Sequence, residues 1–185
     1  MSELLESLAT AAEDRTLLPQ LRTLEIFEMQ TAGGEMPARF FEQCGPRLEI
    51  LGLGKLGLTG SLPRAVGKLE EAKSIILHGN KLSGELPAEL GDCKKLRMLL
   101  LFENDFSGSV PKAIGECSKL SDLRIRPGNS NLVVAENQEQ LFEPSNKTST
   151  GHKTSEVANY KGPLLAPVRA ARLGLLFMLR LIPGL

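Results

Sequence analysis

Residues 61–84, SLPRAVGKLEEAKSIILHGNKLSG, are followed by residues 85–108, ELPAELGDCKKLRMLLLFENDFSG, and by residues 109–125, SVPKAIGECSKLSDLRI. Laid under one another they repeat every 24 residues, with Pro63, Pro87 and Pro111 in one column. Leu69, Cys93 and Cys117 fall in a second column, Ile75, Leu99 and Leu123 in a third, and Leu77, Leu101 and Ile125 in a fourth. Asn80 aligns with Asn104, and Gly60 with Gly84 and Gly108. A fixed period of this length is the mark of a stacked-repeat architecture, because one such unit cannot bury its apolar face alone.

The pattern I-x-L-x-x-N-x-L explains itself physically. Two apolar side chains two residues apart point to one face of a short strand. The asparagine amide then satisfies backbone groups that the following bend would leave unpaired. Ser-Gly makes a tight corner, and proline fixes φ where the chain restarts.

Outward from this block the pattern loosens. Residues 36–60, MPARFFEQCGPRLEILGLGKLGLTG, keep Leu48, Leu51, Leu53, Leu58 and Gly60 but place Leu56 where asparagine belongs. A weaker unit before it carries Leu21, Leu24 and Ile26. After Ile125, RPGNSNLVV puts Gly128 at the asparagine position and Asn129 one residue late. The string L-x-x-L-x-x-L-x-L-x-x-N-x-L-S-G-x-L-P resembles the plant-type leucine-rich repeat of receptor-like kinases and receptor-like proteins, closely over residues 61–125. The resemblance implies an α/β leucine-rich-repeat solenoid: a right-handed, curved stack of four to five coils of about 24 residues with a concave parallel β-sheet. It also implies a recognition scaffold, so the expected function is non-catalytic binding of a peptide or protein loop on the concave face, with a role in signalling.

The flanks divide the chain further. Residues 1–20 are expected to form a capping helix, with Ser2 as cap and a stripe of Leu4, Leu5, Leu8, Ala12 and Leu17 on residues 2–17. The solenoid is assigned to 21–132. Residues 133–163, polar and rich in Ser and Thr, read as a flexible linker. Residues 164–185 form a basic amphipathic segment in which Arg169, Arg172 and Arg180 share one helical face. Folding back over the last coil, lying in a membrane interface and remaining unstructured are its three readings. The second makes peripheral membrane contact, and a membrane-associated or receptor-like signalling fragment, the alternative to a plain interaction module.

Composition narrows the function classes. Lys and Arg together number 22, Asp and Glu together 22, and aromatics are 4% of the chain with no Trp. Neither bulk charge nor stacking platforms point to nucleic acid. The two histidines, His78 and His152, and the three cysteines, Cys44, Cys93 and Cys117, assemble no catalytic set or zinc site. No enzyme activity, metal or cofactor is expected. Gly52, Gly54 and Gly57 fit G-x-G-x-x-G, but that motif needs a strand-to-helix turn, and these glycines accompany the strand leucines of a repeat. Asn146-Lys147-Thr148 matches a glycosylation sequon, of no consequence without a secretory route. The acidic residues of MSELLESLATAAEDRTLLPQ do not make a secretory leader, the cysteine count is odd, and the paired-cysteine caps of extracellular members are missing. The expected location is therefore cytoplasmic, with membrane association as the alternative.

The residues beside the strand leucines should line the inner curve. Those expected to bind a partner are Phe27, Ile50, Ile76, His78, Met98, Leu100, Phe102, Arg124 and Arg126. Ile76, Met98, Leu100 and Phe102 are expected to form an exposed apolar centre, with the two arginines at one side. Five strands at about 4.8 Å and four residues at about 3.3 Å make a face of roughly 20 by 13 Å, which suits a peptide or a loop.

Overall fold

The computed structural model describes residues 1–13, 21–28 and 33–134. The expectations placed on Leu17, on residues from 135 onward, and on Arg169, Arg172 and Arg180 lie outside the described residues.

Each coil contributes one short strand to an inner parallel sheet: β1 (Thr23–Glu25), β3 (Ile50–Gly52), β5 (Ser74–Ile76), β7 (Met98–Leu100) and β9 (Asp122–Arg124). They pair in that order, with Leu24, Leu51, Ile75, Leu99 and Leu123 in one register column. The chain then turns and contributes to a second parallel sheet: β2 (Gly34–Glu35), β4 (Leu58–Ser61), β6 (Lys81–Glu85), β8 (Asp105–Ser109) and β10 (Asn131–Val133). Single 3₁₀ turns complete the coils over Arg64–Lys68, Ala88–Asp92 and Lys112–Glu116. Each follows a repeat proline whose fixed φ, near −65°, sets the restart. The described residues thus form a five-coil α/β leucine-rich-repeat solenoid.

Between the sheets lies a core of aliphatic side chains. Leu51, Leu53, Leu69, Ile75, Leu77, Leu99, Leu101 and Phe106 are fully buried. After β5, β7 and β9 a buried asparagine turns the chain out of the strand. The Asn104 amide donates to its own coil at Leu101 O (3.0 Å) and to the preceding coil at Leu77 O (3.0 Å). Its Oδ1 accepts the Leu82 N–H at 3.1 Å. Asn80 repeats the arrangement with Leu77 O, Leu53 O and the Leu56 and Leu58 N–H groups. Each asparagine thereby turns its own coil and ties it to the one before.

Two irregular coils show how the ladder absorbs deviation. Leu56, at an asparagine position, is fully buried, and its N–H is satisfied by Asn80 of the next coil. In the last coil Asn129, not Gly128, enters the ladder, donating to Ile125 O (2.7 Å) and Leu101 O (2.9 Å) and accepting from Phe106 N (2.9 Å). The extra residue fits because Gly128 takes φ +82° where a Cβ would come within 2.7 Å of Glu103 Cα.

The N-terminal helix α1 (Ser2–Glu13) packs on α2 (Ala38–Cys44) of the second coil. Its buried stripe is Leu5, Leu8 and Ala9, whereas Leu4 is 43% exposed. Ser2 does not act as the helix cap; its hydroxyl donates to Glu35 O at 2.7 Å, pinning the helix to β2. Arg39 of α2 pairs with Glu13 at 2.7 Å.

All three cysteines are reduced and buried. The thiols of Cys93 and Cys117 point at backbone carbonyls of the preceding coil, Val66 O at 3.6 Å and Leu90 O at 3.5 Å. Burial pushes the Cys44 thiol up to about 11 and that of Cys93 to about 12.

Two outcomes follow from this packing. Asn104→Ala leaves buried carbonyls and an N–H without partners and should lower unfolding free energy by about 3 kcal/mol. Lys95→Ala, which removes an exposed ion pair with Glu71, should change it by less than about 0.5 kcal/mol in the same urea titration. In native buffer the cysteines should resist iodoacetamide, and all should label once urea unfolds the chain, as read by intact mass.

Candidate inner-face binding site

The register sorts the inner face into three columns. The first runs Thr23, Ile50, Ser74, Met98, Asp122, and the second Glu25, Gly52, Ile76, Leu100, Arg124. The third, just past the strands, is Phe27, Gly54, His78, Phe102, Arg126. Its register is held by Glu28 N–H to Gly54 O, Lys55 N–H to His78 O and Gly79 N–H to Phe102 O, at 2.9–3.2 Å.

The fold gathers the nine inner-face residues selected from sequence on one surface, but their exposure differs from expectation. Leu100 is only 6% exposed, and Ile76, Met98 and Phe102 are half-buried. Adjacent rungs about 4.8 Å apart bring neighbouring side chains into contact, so each covers part of the next. The centre is therefore a semi-covered floor, not an exposed patch. Arg124 is held by Asp122, its Nε donating to Oδ1 at 2.9 Å. Arg126 is exposed and donates to Leu132 O at 3.4 Å.

An aromatic group runs down the third column. The His78 and Phe102 rings stack at 4.8 Å with 16° between planes, while Phe27 and His78 lie 6.5 Å apart and tilted by 33°. Gly54 has no side chain between them. A Cβ there would come within 2.8 Å of His78 Cε1 and 3.1 Å of Phe27 Cδ1, and one on Gly52 within 2.7 Å of Phe27 Cζ. The glycines of the G-x-G-x-x-G string thus clear room for two rings. His78 Nδ1 is buried without a hydrogen-bond partner. Burial, with a smaller contribution from Lys55, pulls the imidazole pKa below its ordinary 6.5 against the opposing effect of Glu103. The role of the glycine pair was not read from sequence; its signal was two glycines at inner positions of a single coil.

Elsewhere, a groove of about 450 Å³ runs along Ser61–Arg64, Glu85–Ala88 and Pro111, away from the inner face. Among the described residues no three His, Cys, Asp or Glu side chains cluster as a metal site, and no helix is long and apolar enough to cross a membrane.

The sequence matches the Leucine Rich Repeat family over residues 72–93. Solved structures with the same fold include the plant peptide hormone receptor RGFR1 in complex with RGF2, at 29% identity and TM-score 0.57, covering 68% of this chain and 18% of that one. A second is PEPR1–AtPEP1, at 31% identity and TM-score 0.55, covering 62% of this chain and 15% of that one. A third is the ectodomain of the receptor kinase SOBIR1 from Arabidopsis thaliana, at 29% identity and TM-score 0.54, covering 62% and 59%. No curated protein sequence matches. The described residues thus carry plant-type leucine-rich repeats, and the chain spans less than a fifth of the length of the first two neighbours.

These neighbours overturn the cytoplasmic location expected from sequence, since they are receptors and receptor ectodomains and point to an extracellular or membrane-anchored setting. The expectation leaned on the acidic N-terminal residues, but residues 2–13 form the helix that packs on the second coil, so their composition reports packing and not an address.

The buried imidazole generates a pH prediction. Its folded pKa lies below the unfolded value of 6.5, so the unfolded chain binds the proton first as pH falls. Stability should therefore drop as pH passes down through about 6.5, and level off below the folded pKa. Urea titrations at pH 7.5, 6.5 and 5.5 should show this decline, and His78→Phe should flatten it.

Proposed function

We propose that the chain is a non-catalytic binding module that holds a peptide or a protein loop against its inner sheet in an extracellular or membrane-anchored signalling setting. The observation that carries the reading is the inner face itself: a floor of half-buried Ile76, Met98 and Phe102 beside His78, bordered by Arg124 and Arg126. Half-buried apolar groups gain by being covered, while the charged border gives direction to whatever covers them. Area favours a small ligand. The face of about 260 Å² is well below the roughly 800 Å² per partner of a standard protein interface. Neighbours of the same fold include a peptide hormone receptor in complex with RGF2 and the PEPR1–AtPEP1 pair, and the first supports a peptide as the class of ligand.

Peptides selected from a random library against the intact chain should bind it and lose at least about tenfold in affinity to Met98→Asp. Lys95→Ala, on the outer flank, should bind them unchanged. Equal affinity for the Met98→Asp protein, with its circular-dichroism melt preserved, rejects the inner sheet as the site.

A further inference from the structure

We propose that the inner face has a slot for one aromatic side chain, floored by Gly54 and walled by Phe27 and His78. The proposal rests on the peptide-binding reading and names which group of the ligand is read.

Spacing carries the argument. The stacked His78–Phe102 pair sits at 4.8 Å, the distance between adjacent strands, so rings on successive rungs of this column stack without strain. Phe27 and His78 stand two rungs apart, where upright rings would be about 9.6 Å from each other. The rung between them is Gly54, which contributes nothing. A ring placed there would lie about 4.8 Å from each neighbour, inside the 4.5–7 Å range of favourable aromatic pairs. The column is thus a four-ring stack with its second ring missing.

Without that ring the two walls lean inward to 6.5 Å. Phe27 lies over both glycines, since a Cβ on Gly52 or Gly54 would meet it at 2.7 Å or 3.1 Å. A ligand ring enters by turning the half-buried Phe27 aside. An aliphatic side chain fills the same volume but forfeits stacking on two faces, so the slot selects aromatic over aliphatic ligands. Glu28, Lys55 and Glu103 flank the entrance, and Lys55 pairs with Glu28 at 3.9 Å. The entrance therefore carries one net negative charge, which a neutral ring tolerates and an anionic side chain does not.

The chain contains no Trp and only two histidines, which makes the test direct. The probes are two short Gly/Ser peptides, one with a central Trp and one with Leu, added to the full chain. The Trp peptide should show blue-shifted emission and move the His78 Cε1–H resonance, assigned with a His152→Asn variant, and the Leu peptide should do neither at equal concentration. Phe27→Ala should weaken the Trp peptide by about tenfold. Gly54→Phe, which supplies the missing ring from the chain itself, should weaken it as much while keeping the native circular-dichroism spectrum. Equal response to both peptides, no response to the Trp peptide, or unchanged affinity in Gly54→Phe overturns the slot. Library-selected peptides that lack aromatic residues yet fail on Met98→Asp overturn the slot alone and leave the inner-face reading standing.

Discussion

The structure depends on the coupling of a turn to a stack. An asparagine that only ended its strand would leave each coil free to slide on the next. Here the amide spans two coils, so the bend and the register are set by the same hydrogen bonds. Once the register is fixed, the leucines of successive coils meet, and aliphatic burial supplies most of the cohesion. Every inner-face distance, including the 4.8 Å ring stack, inherits the spacing that this coupling imposes.

The repeat core was legible because its causes are local and periodic. The columns of Ile75, Leu99 and Leu123 and of Pro63, Pro87 and Pro111 translate one to one into strands and restarts. Legibility failed where one coil compensates for another. Leu56 looked like a defect, yet its backbone is served by Asn80. Asn129 looked one residue late, yet a left-handed Gly128 delivers it to the same ladder. At the N-terminus Ser2 had the right type for a cap, but a tertiary partner, Glu35, claimed its hydroxyl.

For the inner face, sequence located the residues but misjudged their exposure. Alternation along a strand says which side chains leave the core; it does not say how far neighbours on adjacent rungs shield them, as Leu100 shows. The aromatic column was hidden for a related reason. Phe27, His78 and Phe102 are far apart in the chain, and the gap at Gly54 acquires meaning only beside rings from the flanking coils.

The thiols of Cys93 and Cys117 illustrate how a packing role erases a biochemical address. Shielded from solvent and held protonated, such sulfurs are slow toward oxidants and exchange partners alike, and each is occupied with a neighbouring carbonyl. A solenoid built this way is indifferent to the redox potential around it. Its cysteines would persist unlinked in an oxidising milieu as readily as in a reducing one, and their number is no guide to where the protein works.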